Sequence, residues 1–154
     1  MRLVVAVVGK ARHAALGEAI RDYEQRAARY WPVDVHEVRE ERASGIPLER
    51  VTQREGDRLA ERIPEGAQRI ACAVGGKSLT SEQFAEFLRG ARDEDRDIAF
   101  LIGGAYGLDP SITAAPTMKV ALAPWTLPHE IARLVLAEQI YRAGTIVRGE
   151  PYHK

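Results

Sequence analysis

Two patterns of apolar residues alternate along the chain. They predict strands and helices in regular succession. Short β-branched or continuously apolar runs predict strands, and RLVVAVV at 2–8 is the first of them. Apolar positions three and four residues apart predict helices. The predicted strands are 2–8, 33–38, 69–74, 97–104 and 118–123. The predicted helices are 14–30, a polar one over 48–63, one beginning after Thr80, a short one beginning at Pro110, and 130–147.

Two of these helices carry clear starting signals. Thr80 and Gln83 have the spacing of a capping box, and Asp109 precedes Pro110 as a cap before a first-turn proline. Strands that alternate with helices predict an α/β domain with a mostly parallel sheet and helices on both faces. The last helix, 130–147, is apolar on more than one face, so we expect one face to cover the sheet and another to meet a partner subunit.

Composition narrows the class of protein. A chain of 154 residues predicts one domain over 1–154, and 45% hydrophobic with 29% charged residues excludes a disordered chain. The single cysteine, Cys72, excludes a disulfide framework and a zinc ribbon, and we expect it to be a small buried hydrophobe. No membrane span or signal peptide is predicted, so we expect a cytoplasmic protein without a metal. Because 22 basic residues balance 22 acidic ones, bulk charge gives no argument for nucleic-acid binding.

Two glycine-rich segments fail the common nucleotide fingerprints. GGKS at 75–78 lacks the first glycine of a P-loop, since position 71 is alanine, and it predicts a turn from a strand into a helix. LIGGAYGL at 101–108 lacks the G-x-G-x-x-G spacing. Its place after an apolar strand is typical of a ligand loop or, alternatively, of a tight turn.

The segment PWTLPHE at 124–130 predicts a stiff loop between a strand and a helix. Two prolines fix its backbone, so Trp125, Leu127 and the free backbone groups would suit a purine ring, unless the loop is only a connector. His129 would either cap the last helix or face a ligand. Tyr152 and His153 in the terminal PYHK can stack on a base, although such tails are usually frayed.

Taken in order and spacing, LIGGAYGL, TLPH at 126–129, LAEQIYRA at 136–143 and EPYHK at 150–154 resemble the RlmH family. These are the ribosomal large-subunit pseudouridine N3-methyltransferases of the SPOUT (α/β-knot) superfamily. The resemblance implies a single SPOUT domain with a C-terminal deep trefoil knot over about 98–154, and a homodimer. It further implies S-adenosyl-L-methionine as cofactor and, as substrate, pseudouridine 1915 in helix 69 of 23S rRNA within assembled 70S ribosomes.

The resemblance also implies a set of cofactor contacts. They are Cys72, Gly103, Gly104, Ala123, Pro124, Trp125, Thr126, Leu127 and Pro128. Two segments depart from the family's usual residues, Cys72-Ala73 and Ala123-Pro124-Trp125. Both affect expected cofactor contacts and neither removes a group that we expect to be catalytic.

For methyl transfer to N3, the enzyme must hold this nitrogen close to the methyl group, and the proton on N3 must be removed. The resulting anion spreads onto two flanking carbonyl oxygens, which nearby cations would stabilise. We hypothesise that Arg133 and Arg142, with His129 or His153, supply that charge from one or both subunits. His153 is the predicted base, since an imidazole titrates near neutral pH, and Tyr152 stands beside it.

Two rival functions remain open from the residues alone. One is an α/β enzyme with another nucleotide cofactor, such as a dehydrogenase, which the missing fingerprint disfavours. The other is a non-catalytic, ribosome-associated dimer, which would not bind S-adenosylmethionine saturably.

Overall fold

The computed structural model describes residues 1–114 and 117–153, apart from the side chain of His153. Strands and helices alternate along these residues as the hydrophobic pattern predicts. The strands are β1 (Leu3–Val8), β2 (Val33–Val38), β3 (Gln68–Ser78), β4 (Ile98–Ile102) and β5 (Met118–Ala121). The helices are α1 (Ala14–Ala27), α2 (Leu48–Ala60), α3 (Ser81–Asp93), α4 (Pro110–Thr113) and α5 (His129–Val147), with a 3₁₀ turn at Pro151–His153.

The five strands of the described residues form one parallel sheet in the order β2-β1-β4-β3-β5. Val5 of β1 lies opposite Val35 on one side and Phe100 on the other. Parallel strands end at the same edge of a sheet, so the loops after them come together there. The predicted α/β class is confirmed. The knot predicted for about 98–154 includes residues outside the described ones and stays a prediction.

Helices cover both faces of the sheet, as the sequence predicts. Leu3, Val5 and Val7 of β1 point into the core formed with α1, α3 and α5. Ala6 and Val8 point to the opposite face, which α2 and α4 cover. The buried side chains of β4 divide in the same way, because successive strand residues alternate between faces.

α5 lies against α1 on one side and against α3 on the other. The Trp31 side chain, which is buried, donates a hydrogen bond from Nε1 to the carbonyl oxygen of Ile140 at 3.0 Å. Every residue of α5 is buried or half-buried. α1 and α3 cover much of α5 within the chain, while Ile131, Leu134 and Val135 stay half-buried. The expectation that a second apolar face of α5 meets a partner subunit stays a prediction. The homodimer itself remains a prediction.

The segment GGKS does not form the predicted turn into a helix. β3 continues to Ser78, and Val120 of β5 pairs with both Cys72 and Lys77, so the residues between those two bulge out of the ladder. A Cβ at Gly76 would lie 2.7 Å from the backbone of Lys119 and Val120, which explains why a glycine is needed there. The bulge matters for function because it carries Ala73 and Val74 to the end of β4.

The helix-start signals are confirmed. Thr80 Oγ1 accepts from the Gln83 amide at 3.2 Å, and Gln83 Oε1 accepts from the Thr80 amide at 3.0 Å. The Asp109 carboxylate accepts from the Ser111 amide at 2.8 Å. Gly56 in α2 lies where this helix approaches α4, since a Cβ there would be 3.0 Å from Asp109 Cβ.

Candidate functional site

A cavity of about 590 Å³ lies where β4 and β5 end, beside the bulge of β3. It is lined by the segments 72–74, 102–108 and 122–129, without Tyr106 and Pro124, and by Ala132 of α5. This is the edge at which open parallel sheets bind ligands, and the volume is within the usual range for small-molecule sites. Eight of the nine predicted cofactor residues belong to the lining: Cys72, Gly103, Gly104, Ala123, Trp125, Thr126, Leu127 and Pro128.

The glycine loop after β4 is a tight turn that forms one wall of this cavity. The Gly107 amide donates to the Gly104 carbonyl at 3.1 Å, and Gly107 has a φ of 82°. A Cβ at Gly103 would lie 2.6 Å from the Gly107 backbone, closer than any side chain tolerates. The loop can keep this shape only with glycine at 103.

The proline loop forms the opposite wall. Trp125 is 75% exposed at the rim, while Leu127 is half-buried against the main core. Pro124 is exposed and lies outside the cavity lining. The Pro128 carbonyl accepts from the Ala132 amide at 2.9 Å, so the end of this loop is also the start of α5. An indole ring held at a rigid rim can stack on a planar ligand.

His129 lines the cavity at the first turn of α5. Its Nε2 atom is buried, has no hydrogen-bond partner among the described residues, and lies 3.9 Å from Glu40 Oε1. The neighbouring Glu130 carboxylate accepts from the Arg12 amide at 2.5 Å, which ties the start of α5 to the start of α1. That backbone hydrogen bond lowers the pKa of Glu130. His129 is thus held in place while its ring keeps an unused nitrogen.

Cys72 lines the cavity and lies on β3 just before the bulge. Burial raises the pKa of its thiol to about 12. A thiol that stays protonated is a poor nucleophile, so the expected role as a small apolar residue fits its surroundings.

A buried carboxyl lies directly behind the glycine loop. Glu55 of α2 is 4% exposed, and its Oε1 accepts from the Glu41 amide at 2.9 Å. Its Oε2 has no partner among the described residues and would be 3.0 Å from a Cβ at Gly104. Burial raises the pKa of Glu55. The sequence alone does not predict a role for Glu55, because one glutamate in a polar helix carries no signal of burial.

Arg133 does not face the cavity. Its guanidinium is buried and bonded through Nε to Glu24 of α1 at 2.7 Å and through Nη1 to Glu37 of β2 at 2.6 Å. Burial alone would lower the pKa of Arg133, but the two carboxylates raise it above its usual value. The geometry gives Arg133 a role in joining α5 to α1 and β2.

Arg142 and Tyr152 lie together near the other end of α5. Arg142 Nη2 is 2.7 Å from Glu138 Oε1, and its guanidinium carbon is 4.8 Å from the centre of the Tyr152 ring. The Tyr152 hydroxyl donates to the same Glu138 oxygen at 3.2 Å and is 3.3 Å from the Tyr23 hydroxyl. Burial raises the pKa of Tyr152. We call Tyr23, Glu138, Tyr141, Arg142 and Tyr152 the tail cluster.

The predicted catalytic residues are therefore divided between the two ends of one helix. His129 is at the cavity, while Arg142 is 13 residues further along α5, which corresponds to about 20 Å. The side chain of His153, the predicted base, lies outside the described residues. Within one chain the structure does not bring the cofactor residues and the tail together.

Neither a metal site nor a membrane-spanning helix is found in the part of the chain that the structure describes. No group of three His, Cys, Asp or Glu side chains there could hold a metal ion. No helix in that part is long and apolar enough to cross a membrane.

Comparison with known proteins adds an independent line of evidence. The family model described as "Predicted SPOUT methyltransferase" matches residues 1–153. Ribosomal RNA large subunit methyltransferase H of Gemmatimonas aurantiaca is 53% identical over 154 residues, with all of both chains covered. The protein of the same name from Syntrophotalea carbinolica is 40% identical, with 99% of each chain covered.

A solved structure supports the fold. The crystal structure of a probable rRNA-methyltransferase from Porphyromonas gingivalis superposes with a TM-score of 0.51 at 17% identity, and the match covers 96% of this chain and 69% of that one. At this identity the likeness concerns the fold alone. The full-length sequence matches, with the cavity at the carboxyl ends of the strands, place the chain in the ribosomal RNA large subunit methyltransferase H family of SPOUT methyltransferases.

Proposed function

We propose that this protein is an S-adenosylmethionine-dependent methyltransferase acting on N3 of a pseudouridine in helix 69 of 23S rRNA, in the assembled 70S ribosome. The observation that carries the proposal is the cavity of about 590 Å³, in which eight of nine predicted cofactor residues meet. Relatives named for methylation of large-subunit ribosomal RNA match the whole chain. A ribosomal substrate would place the enzyme in the cytoplasm.

The cavity suits a purine nucleoside with a charged side chain. Gly103 and Gly104 hold the loop close to the chain behind it, because a Cβ at Gly103 would clash with the Gly107 backbone and one at Gly104 with Val8 and Glu55. Trp125 and Leu127 offer a flat apolar wall, and the prolines of that loop hold the remaining backbone groups in fixed directions. When bound, the cofactor supplies an electrophilic methyl group on a sulfonium.

The chain's own residues would position the base and accept its proton. His129 carries an unpartnered buried nitrogen at the cavity, which can hold a carbonyl or receive a proton. Arg142 would stabilise negative charge on the oxygens that flank N3, and Tyr152 would stack on the base. Arg133 has no such role in the proposal, because it is buried between two carboxylates, Glu24 and Glu37, whereas Arg142 is half-buried and has one carboxylate partner.

A homodimer would bring the tail to the cavity. Ile131, Leu134, Val135, Glu138 and Arg142 form a half-buried stripe along α5 from the cavity end to the tail cluster. If two copies of this stripe pack antiparallel about a two-fold axis, Arg142 of the partner subunit lies near Ile131 and the cavity. The two halves of the site would then be complete only between subunits.

The first experiment is methyl transfer from labelled S-adenosylmethionine to purified 70S ribosomes that lack the modification, with free 23S rRNA alongside. Label on a helix-69 pseudouridine in 70S alone is the expected result. Saturable cofactor binding with label in neither substrate would reject the substrate. No saturable cofactor binding would reject the methyltransferase and favour an adaptor, and binding of a nicotinamide cofactor instead would favour a dehydrogenase.

Mixed dimers test the shared site. Gly103→Ala should inactivate the cavity, and deletion of residues 150–154 should abolish methylation while cofactor binding is retained. Equal mixing of the two inactive variants should restore about a quarter of wild-type activity, because half of the dimers would contain one intact site. Absence of any recovery, with mixed dimers verified by two affinity tags, would place the whole site within one chain.

His153→Ala tests the proton acceptor. If neutral His153 accepts the proton, wild-type turnover falls at low pH as the imidazole is protonated, whereas His153→Ala loses most turnover at higher pH and its profile becomes flatter. His13→Ala, which changes an exposed histidine at the start of α1, is the matched control. A profile that keeps its wild-type shape and height would show that another group is the base.

A further inference from the structure

A second concave surface lies beside the cavity, where β1 and β2 end. It is lined by residues 9–12 and 37–42 and has a volume of about 1170 Å³, and we call it the charged groove. This volume exceeds the usual range for small-molecule sites, and its lining is dominated by charged side chains. Such a groove fits an extended polyelectrolyte better than a compact ligand.

The acidic residues of the charged groove are already neutralised by arginines. Glu37 pairs with Arg133 at 2.6 Å, and Glu40 pairs with Arg12. Glu41 pairs with Arg54 at 3.1 Å and with Arg58. These pairs lower the pKa of Glu41. The carboxylates of the groove therefore leave little negative charge to repel an anion.

Three cations of the groove are left over. Lys10, Arg39 and Arg42 are exposed, and none has a carboxylate partner among the described residues. They come from two loops that stand side by side, since β1 and β2 are neighbouring strands. Because the whole chain has no net charge, any binding of nucleic acid has to rely on such a local excess.

The charged groove and the cavity share a wall. Glu40 lines the groove, and its Oε1 is 3.9 Å from Nε2 of His129, which lines the cavity. Glu130 holds the Arg12 amide at 2.5 Å, so the loop after β1 is fixed to the first turn of α5. A nucleotide whose phosphate lies in the groove can therefore turn its base towards the cavity.

We propose that the charged groove binds the phosphate backbone of the single-stranded RNA that flanks the target base, through Lys10, Arg39 and Arg42. The inference rests on the proposed function and deepens it, since it adds the surface that holds the substrate strand. Single-stranded loops are recognised with their bases splayed out, and phosphate contacts set the register of the strand.

The test compares two triple variants of equal charge change. Lys10→Gln with Arg39→Gln and Arg42→Gln removes the groove cations. Arg50→Gln with Arg62→Gln and Arg69→Gln removes three exposed cations that have no carboxylate partner among the described residues and lie outside the groove. For each enzyme, cosedimentation with 70S ribosomes is measured against salt concentration, together with KM, kcat and the cofactor Kd.

The groove variant should raise KM for ribosomes about tenfold or more, with kcat and the cofactor Kd within about twofold of wild type. The slope of log affinity against log salt should become shallower by about 2, as expected for three phosphates on a single strand. The control triple variant should leave both the KM for ribosomes and the salt slope unchanged. Equal effects of the two triples, or an unchanged salt slope in the groove variant, would overturn the proposal.

Binding and turnover separate this inference from the proposed function. If ribosome binding depends on the groove cations but the wild-type protein transfers no methyl group, the methyltransferase proposal is wrong and the inference about the charged groove is kept. If methyl transfer is normal and the groove triple does not change it, only the proposal for the charged groove fails.

A photo-crosslinker attached to Ser44→Cys, beside the groove, should label RNA. Labelling confined to ribosomal protein would overturn the RNA assignment. Wild type treated with the same reagent is the control for labelling through Cys72, the one cysteine of the sequence.

Discussion

The amino end of α5 borders a cavity, and two buried polar atoms in or behind the cavity wall have no partner in the described part of the chain. At the carboxyl end of α5, the polar side chains of the tail cluster bond to one another. His129 Nε2 and Glu55 Oε2 are buried near the cavity with no hydrogen-bond partner among the described residues. In the tail cluster, one oxygen of Glu138 accepts from Arg142 and from the Tyr152 hydroxyl. The Tyr152 ring centre is 4.6 Å from that of Tyr141.

The difference separates a binding site from a scaffold. Buried polar atoms without partners cost stability, so a fold that retains them beside a cavity is suited to pairing them with a ligand. A cluster that is satisfied within the chain holds the tail against α1 and α5, and presents Arg142 and Tyr152 on a surface that another subunit can reach. Changes at the cavity should therefore alter binding, and changes at the tail cluster should first alter stability.

Gly103→Ala should have the largest effect. Its Cβ would lie 2.6 Å from the Gly107 backbone, so the loop must move and cofactor affinity should fall at least a hundredfold, about 3 kcal/mol. Calorimetric titration with S-adenosylmethionine measures this affinity. Gly90→Ala on α3 is the control, because nothing lies within 4 Å of that added methyl group. Unchanged affinity in Gly103→Ala would mean that this loop does not form the cofactor wall.

The two tryptophans provide a direct contrast. Trp125→Ala should weaken cofactor binding about tenfold through lost stacking, with a change in unfolding free energy below about 0.5 kcal/mol. Trp31→Phe, which breaks the bond to the Ile140 carbonyl, should lower the unfolding free energy by about 1–3 kcal/mol and leave cofactor binding intact. For both variants, cofactor titration measures the binding affinity and urea denaturation measures the unfolding free energy. A large stability loss in Trp125→Ala would contradict its place at an exposed rim.

Tyr152→Phe should lower the unfolding free energy by about 1 kcal/mol, because the hydroxyl contacts with Glu138 and Tyr23 are lost while the ring still packs on Tyr141. Urea denaturation measures the change, and cofactor titration serves as the control. If cofactor affinity fell instead, the tail cluster would belong to the cofactor site of its own chain.

Glu55→Gln should have the smallest effect, visible as a change in pH dependence. Burial raises the pKa of Glu55 in the folded state, so the folded chain keeps a proton that the unfolded chain loses near its ordinary value. Wild-type stability from this group falls as pH rises from that value through the raised pKa. The amide does not ionise, so the unfolding free energy of Glu55→Gln relative to wild type should increase from pH 4 to pH 7. A constant difference would mean that Glu55 titrates normally.

The local parts of the fold and the site could be predicted from the sequence. The capping box at Thr80 and Gln83 depends on two residues three apart, and the glycine and proline loops are short motifs whose members are neighbours in the chain. The bulge at GGKS was missed because it depends on the pairing of β3 with β5, which lies more than 40 residues away along the chain. Glu130 was missed as a cap because it acts on α1 rather than on its own helix.

The sequence by itself determined the succession of strands and helices, the family, and the segments that line the cavity, since hydrophobic period and short motifs are local properties. Only the tertiary structure decided which charges are available for binding. Arg133 is paired with carboxylates 109 and 96 residues away, while Lys10, Arg39 and Arg42 are left without such partners among the described residues. The physical reason is that an ion pair depends on which elements pack together, and the order β2-β1-β4-β3-β5 is not encoded in the spacing of charged residues along the chain.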